Sequence, residues 1–187
     1  MLRLWIALSL IFGAAAVNAF EAKSKDFSEA DASEKGLVLL STSAAKTSLS
    51  FSTMLRLQRV TMKDGKEKLK HVDGFFVDNP FVKSHSQTEI MNVYWRALEP
   101  GDYLFDPVVQ NPMMCEVNLL QFRFTVVAGQ TLYLGNYRIE GTDFFVRDQY
   151  SRDLEFFTAH ANGTKPAAFT SALSERVVKK NPRCQQY

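Results

Sequence analysis

The side chains able to do chemistry are scattered along this chain rather than grouped. His71, His85 and His160 share no metal-ligand spacing. Asp102, Asp106, Asp143, Asp148 and Asp153 could supply an acid/base pair, but most flank turns or strand ends, where solvated or capping roles are ordinary. The serines lack a G-x-S-x-G elbow, and no Gly-rich phosphate loop or dinucleotide fingerprint occurs. No cofactor or metal is therefore expected. Exposed aromatic rings are the better candidates, since flat rings stack on sugars. Trp95 shares its strand face with Met91, Val93 and Ala97 and reads as core. Tyr94 points the other way and reads as surface. Tyr133 and Tyr137 flank Gly135 on one strand face, where a glycine lets a ligand or backbone approach. Tyr94, Tyr133 and Tyr137 are the expected binding residues.

The cysteines carry a second kind of chemistry. Cys115 and Cys184 are the two in the chain, and neither belongs to a C-x-x-C unit. In an oxidising compartment they are expected to form one disulfide. It would close a loop of about 70 residues, with an upper stabilisation of roughly 4 kcal/mol. The compartment is suggested by the first nineteen residues. Met1-Leu2-Arg3 is a short basic start, residues 4–17 are nearly all apolar, and Val17-Asn18-Ala19 offers small residues for cleavage. That is the layout of a secretory signal peptide, too short to span a bilayer comfortably. Cleavage after Ala19 would leave roughly 170 residues, enough for one domain with a sizeable core. The formal charge is +2, mixed in sign along the chain, which gives no reason to expect nucleic acid or an anionic membrane as partner. Asn162-Gly163-Thr164 is a glycosylation sequon in a eukaryotic host.

Elements to position these groups follow from periodicity. Residues 20–35 are polar and charged and read as a flexible leader before a domain over 36–187. Leu37-Val38-Leu39-Leu40 fits a buried strand. Residues 49–60 alternate, with Leu49, Phe51, Thr53, Leu55 and Leu57 on one face. Asp64-Gly65 marks a turn, and the basic residues 63–70 read as its solvated tip. Residues 73–80 look loop-like. Residues 88–98 alternate as a strand, and a return strand starts at Tyr103-Leu104-Phe105, giving way to an irregular edge from Asp106 to Pro112. Residues 117–148 read as three strands in an antiparallel meander. Ser151 to Glu155 resembles a helix start, with Leu154, Phe157 and Ala161 at helical spacing, and residues 166–180 suggest a second short helix.

Two motifs carry a resemblance. Leu98-Glu99-Pro100-Gly101-Asp102-Tyr103 precedes Phe124-Thr125-Val126-Val127-Ala128-Gly129-Gln130-Thr131-Leu132-Tyr133-Leu134-Gly135. This order resembles small exported bacterial β-sandwich proteins of uncharacterised function, in which L-x-P-G-x-Y precedes F-x-V-x-x-G-x-x-x-Y-L-G. The opening Gly36-Leu37-Val38-Leu39-Leu40-Ser41 fits their first strand. The resemblance covers about two-thirds of the exported part and implies a prealbumin-like or immunoglobulin-like sandwich. Many such proteins carry a lipid anchor on a cysteine at the cleavage site, and this chain has none there. The resemblance implies no catalytic residue.

The expectation is thus a mainly antiparallel two-layer β-sandwich with one or two short C-terminal helices. Functionally it is an exported, non-enzymatic protein of the periplasm or cell surface, binding a protein, peptide or glycan. The rival is an exported hydrolase whose carboxylates or histidines converge only on folding. No nucleic acid partner and no membrane span after signal cleavage are expected.

Overall fold

The computed structural model describes residues 33–46, 53–79, 84–109, 118–140, 143–162, 165, 166, 168–172 and 176–180. The expected signal peptide, most of the expected leader, the sequon's Gly163 and Thr164, Cys115 and Cys184 lie outside them. The strands are β1 (Gly36–Ala45), β2 (Thr53–Lys63), β3 (Lys66–Phe76), β4 (Glu89–Leu98), β5 (Gly101–Val109), β6 (Asn118–Val126), β7 (Thr131–Glu140), β8 (Asp143–Arg147), β9 (Thr170–Ser171) and β10 (Arg176–Lys180). A helix, α1 (Tyr150–His160), lies between β8 and β9.

The strands run in the order β3-β2-β5-β6-β8-β7-β1-β4, with β10 on β6 and β9 on β7. The path folds into two sheets packed face to face. β3, β2, β5, β6 and β10 make one; β8, β7, β1, β4 and β9 make the other. Among the described residues a single parallel pair, Asn118 with Asp143, joins them between β6 and β8. At the opposite seam the described residues of β3 and β4 have no backbone pairing. There Arg96 Nε donates to Asp73 Oδ2 at 2.6 Å, Tyr94 Oη to Phe76 O at 3.4 Å and Thr42 Oγ1 to the same carbonyl at 2.8 Å.

The interior between the sheets is aromatic. Phe75, Tyr94, Tyr103, Phe105, Phe122, Phe124, Tyr137 and Phe144 meet there with Val38, Leu40, Leu55, Leu57 and Ile139. Such rings bury large areas, and their offset and edge contacts add about 0.5–1.5 kcal/mol per pair beyond area burial. A third layer lies outside the second sheet. Phe157 and Ala161 from α1 and its C-terminal end, with Phe169, cover Leu37, Leu39, Met91, Val93, Trp95 and Tyr133. This explains why β1 reads as a continuous apolar run: it is central in its sheet and covered on both faces. The face assigned to Trp95 is correct, and its indole meets Phe157 edge-on at 5.5 Å.

Several expectations give way. The loop-like stretch 73–80 begins in strand: residues 73–76 end β3, paired along β2, and residues 77–79 lie outside any strand as expected. The expected irregular edge after Phe105 is the continuation of β5 along β2 to Val109. Pro107 fits because the β5–β6 ladder has already ended at Phe105, so its missing N–H costs that flank nothing. The meander over 117–148 is not one: β6 pairs β5, while β7 pairs β1 and β8 in the other sheet. The turn around Gly129 therefore crosses between sheets rather than closing a hairpin. The second C-terminal helix is absent among the described residues; β9 and β10 occupy that stretch and fill places beside β7 and β6. The first helix exists, but Ser151 lies inside it rather than capping it; Asp148 Oδ1 accepts the Tyr150 N–H at 2.9 Å.

Candidate functional site

The structure buries all three tyrosines named as binding residues: Tyr94, Tyr133 and Tyr137 have exposures of 2%, 0% and 0%. Tyr94 points away from Trp95, as the alternation requires, but into the aromatic interior against Phe75 at 4.9 Å. Burial pushes its phenol up to about 12. Tyr133 and Tyr137 do not share a face. Gly135, at φ 97, is an extra residue in β7 between the pairs Leu39–Tyr133 and Ser41–Asn136. This bulge flips the alternation. Tyr133 faces α1, and Tyr137 faces the interior, stacked on Phe122 at 5.0 Å.

The bulge also opens a polar zone on the α1 side. Asp153 on α1 has no exposed surface. Its Oδ2 accepts from Ser41 Oγ at 2.6 Å and Tyr133 Oη at 2.8 Å; its Oδ1 accepts from Arg152 Nε at 2.9 Å and Nη2 at 2.8 Å. Asn136 Nδ2 donates to Ser41 Oγ at 2.8 Å, and Ser43 Oγ to Asn136 Oδ1 at 2.9 Å. Arg138 continues the chain to Glu89 and Glu140. Burial, then the Asp153 carboxylate, pushes the Tyr133 phenol far above the ordinary range. The hydroxyls and the carboxylate are all consumed by one another, so this network fastens α1 to β1 and β7 and offers no free nucleophile.

Three of the other acid candidates are engaged separately, and Asp143 is exposed at the start of β8. Asp102 accepts from Thr125 Oγ1 at 2.7 Å, and Asp106 pairs with Arg56 and accepts from Gln121 Nε2 at 2.7 Å. Asp148 holds the helix start. Two histidines do converge: His85 and His160 both stack on Phe156, at 4.5 and 4.0 Å. His85 Nδ1 accepts the Val93 N–H at 3.2 Å, which makes it a cap on the β4 edge. Among the described residues no group of three or more His, Cys, Asp or Glu could hold a metal.

What the molecule presents outward is the β2–β3 hairpin. Asp64 and Gly65 turn it, with φ of 55 and 71, the paired positive values of a two-residue hairpin turn that Asp-Gly favours. From Lys63 to Lys70 every residue is exposed. The register places Arg59 opposite Lys70, Thr61 opposite Lys68 and Lys63 opposite Lys66. Residues opposite each other, and alternate residues along each strand, share a face. One face of the hairpin therefore carries Arg59, Lys63, Lys66, Lys68 and Lys70. The other carries Val60, Met62, Glu67 and Leu69, with Met62 66% and Leu69 47% exposed.

Two side-chain ties reach the outer part of the hairpin. Arg123 on β6 grips Glu67 with both guanidinium nitrogens, at 2.7 and 2.8 Å, and holds that carboxyl below the usual carboxylate range. Arg59 Nη2 donates to Pro100 O at 2.7 Å at the β4–β5 turn. The four lysines have no ion-pair partner among the described residues. Residues 59–70, with Arg59 and four lysines against Asp64 and Glu67, have a net charge of +3, more than the whole chain's +2. The small overall charge thus dilutes a concentrated patch, the same basic stretch that the sequence presents as a solvated tip. The legible signal was the even spacing of Lys66, Lys68 and Lys70, which in a strand means one face.

No family model, curated protein or solved structure matches the chain.

Proposed function

We propose that this chain is an exported, non-enzymatic binding module of the cell envelope, working in the periplasm or at the cell surface on a protein, peptide or glycan. The observation that carries the reading is the β2–β3 hairpin, which is anchored at its root and by Glu67 and carries unneutralised charge on one face. The carboxylate form of the rival hydrolase needs two carboxylates working at one place. Asp102, Asp106, Asp148 and Asp153 are each held by different partners. Export rests on the N-terminal pattern, and the disulfide belongs to the same proposal. β10 pairs with β6 out to Lys180 opposite Asn118; Cys184 follows the first by four residues and Cys115 precedes the second by three.

The test is made in the native host. A photo-crosslinking side chain replaces Asp64 at the hairpin turn or, as control, Glu155 on the exposed side of α1. The protein is expected in the envelope fraction, with a mass starting at Phe20 and short by two hydrogens until reduced. Adducts are expected from position 64 and not from 155. Retention in the cytoplasm, or hydrolytic turnover of envelope glycans or peptides that one carboxylate substitution abolishes, would reverse the proposal.

A further inference from the structure

The geometry points to the lysine face of the β2–β3 hairpin as a binding track for an anionic polysaccharide; this rests on the hairpin being the contact element of an exported module.

The first argument is the sign of the charge. Like charges directly opposite each other on a ladder are destabilising, yet Arg59–Lys70 and Lys63–Lys66 are two such pairs, on either side of Thr61–Lys68 on one face. Protection of a free edge explains charge on β3, which ends its sheet. Edge protection works with either sign, however, and mixed signs would supply it without repulsion. A single sign on both strands is what a partner of opposite sign compensates.

The second argument is the shape of the patch. Lys66, Lys68 and Lys70 follow one another at about 7 Å along β3, and Lys63 and Arg59 lie about 5 Å across the ladder. The cations make a double row along the hairpin, with Thr61 as its remaining member. Between residues 59 and 70 that face holds no aromatic or large apolar side chain, the usual anchors of a folded protein partner. A bilayer would draw on apolar and basic groups together, but Met62 and Leu69 belong to the opposite face. Lysine is a hydrated point charge that does not read planar groups bidentately as arginine does. A row of lysines therefore registers charge along a line, and a linear chain bearing carboxylates or sulfates at regular intervals supplies it.

The experiment uses the full exported chain and polygalacturonate, followed by titration calorimetry at low and raised salt. Neutral dextran and phosphatidylcholine–phosphatidylglycerol vesicles are the comparison probes. Three proteins are measured: the natural chain, Lys63→Gln/Lys66→Gln/Lys68→Gln/Lys70→Gln, and the same four positions changed to Arg. The natural chain is expected to bind polygalacturonate, more weakly as salt rises, and to ignore dextran. The glutamine variant should lose roughly tenfold or more in affinity, and the arginine variant should retain it. All four side chains are exposed and the glutamines relieve the like-charge pairs, so thermal unfolding should hold or rise slightly, which separates lost binding from lost fold. Absence of polygalacturonate binding, an unaffected glutamine variant, or capture by the anionic vesicles in place of the polysaccharide would overturn the inference. Where such a failure accompanies persisting crosslinks from position 64, the polysaccharide is wrong and the module reading stands; where the crosslinks fail too, both fall.

Discussion

Asp153 is a carboxylate with no exposed surface, surrounded by donors from three elements. Removing one partner of a buried polar or ionic set costs more than the set contributes net, because the others are left desolvated. Asp153→Ala strands Ser41 Oγ and Tyr133 Oη, while the partly exposed Arg152 can turn to water. The expected loss is about 3 kcal/mol in urea unfolding, against about 1–2 kcal/mol for Tyr133→Phe. The double variant should lose clearly less than the sum, because both act through one network; strict additivity would refute that coupling. In the sequence Asp153 is indistinguishable from an ordinary acidic residue in the first turn of a helix. Its partners Ser41 and Tyr133 are far away in the chain, and only folding shows that the three meet.

Elements were legible where one period ran unbroken. β1, the alternating part of β2, β4 and β6 are all visible as strands. Legibility failed where the period slipped. Gly135 in β7 shifts the register by one residue, so Tyr133 and Tyr137, at even separation, end on opposite faces. A glycine there reads equally as a weak point in a flat strand. The stretch over 166–180 reads as a helix because Phe169, Leu173 and Val177 happen to fit a helical stripe; the unpaired flanks of β6 and β7 recruit it as strands instead. Because φ 97 disfavours any side chain, Gly135→Ala should cost about 1–3 kcal/mol. The more telling readout is the Ser41–Asn136–Asp153 zone: a chain that lost the bulge would rotate Asn136 out of it, and the side-chain amide resonances of Asn136 should shift strongly. An unshifted amide with full stability would show that the bulge does not need its glycine.

At the scale of the molecule, the fold class was readable from alternation, but the partition of strands between sheets was not. Sequential strands usually neighbour each other, which favoured a meander; the crossing at Gly129 depends on which interior face β7 completes. The aromatic interior also sets a response to alkali. Burial raises the phenols of Tyr94, Tyr103 and Tyr133 above their value in an unfolded chain, to about 12 for Tyr94. The native state thus holds these protons more tightly. That contribution is complete below the ordinary tyrosine value of about 10 and is lost as pH rises from there through about 12. Phenolate absorbance and the circular dichroism of the sheets should change together in that window. Phenolate appearing from these buried tyrosines with the sheet signal intact would contradict the assignment.

The two seams of the sandwich are unlike. One, between β6 and β8, is joined by backbone pairing, at Asn118 with Asp143 among the described residues. The other, between β3 and β4, is closed by the side chains of Arg96, Tyr94 and Thr42. The molecule is built like a folded leaf, creased on one side and merely clasped on the other. Thermal breathing is then directional: the leaf parts first at the clasp, and the rings of Phe75 and Tyr94 are the first of the interior to meet water.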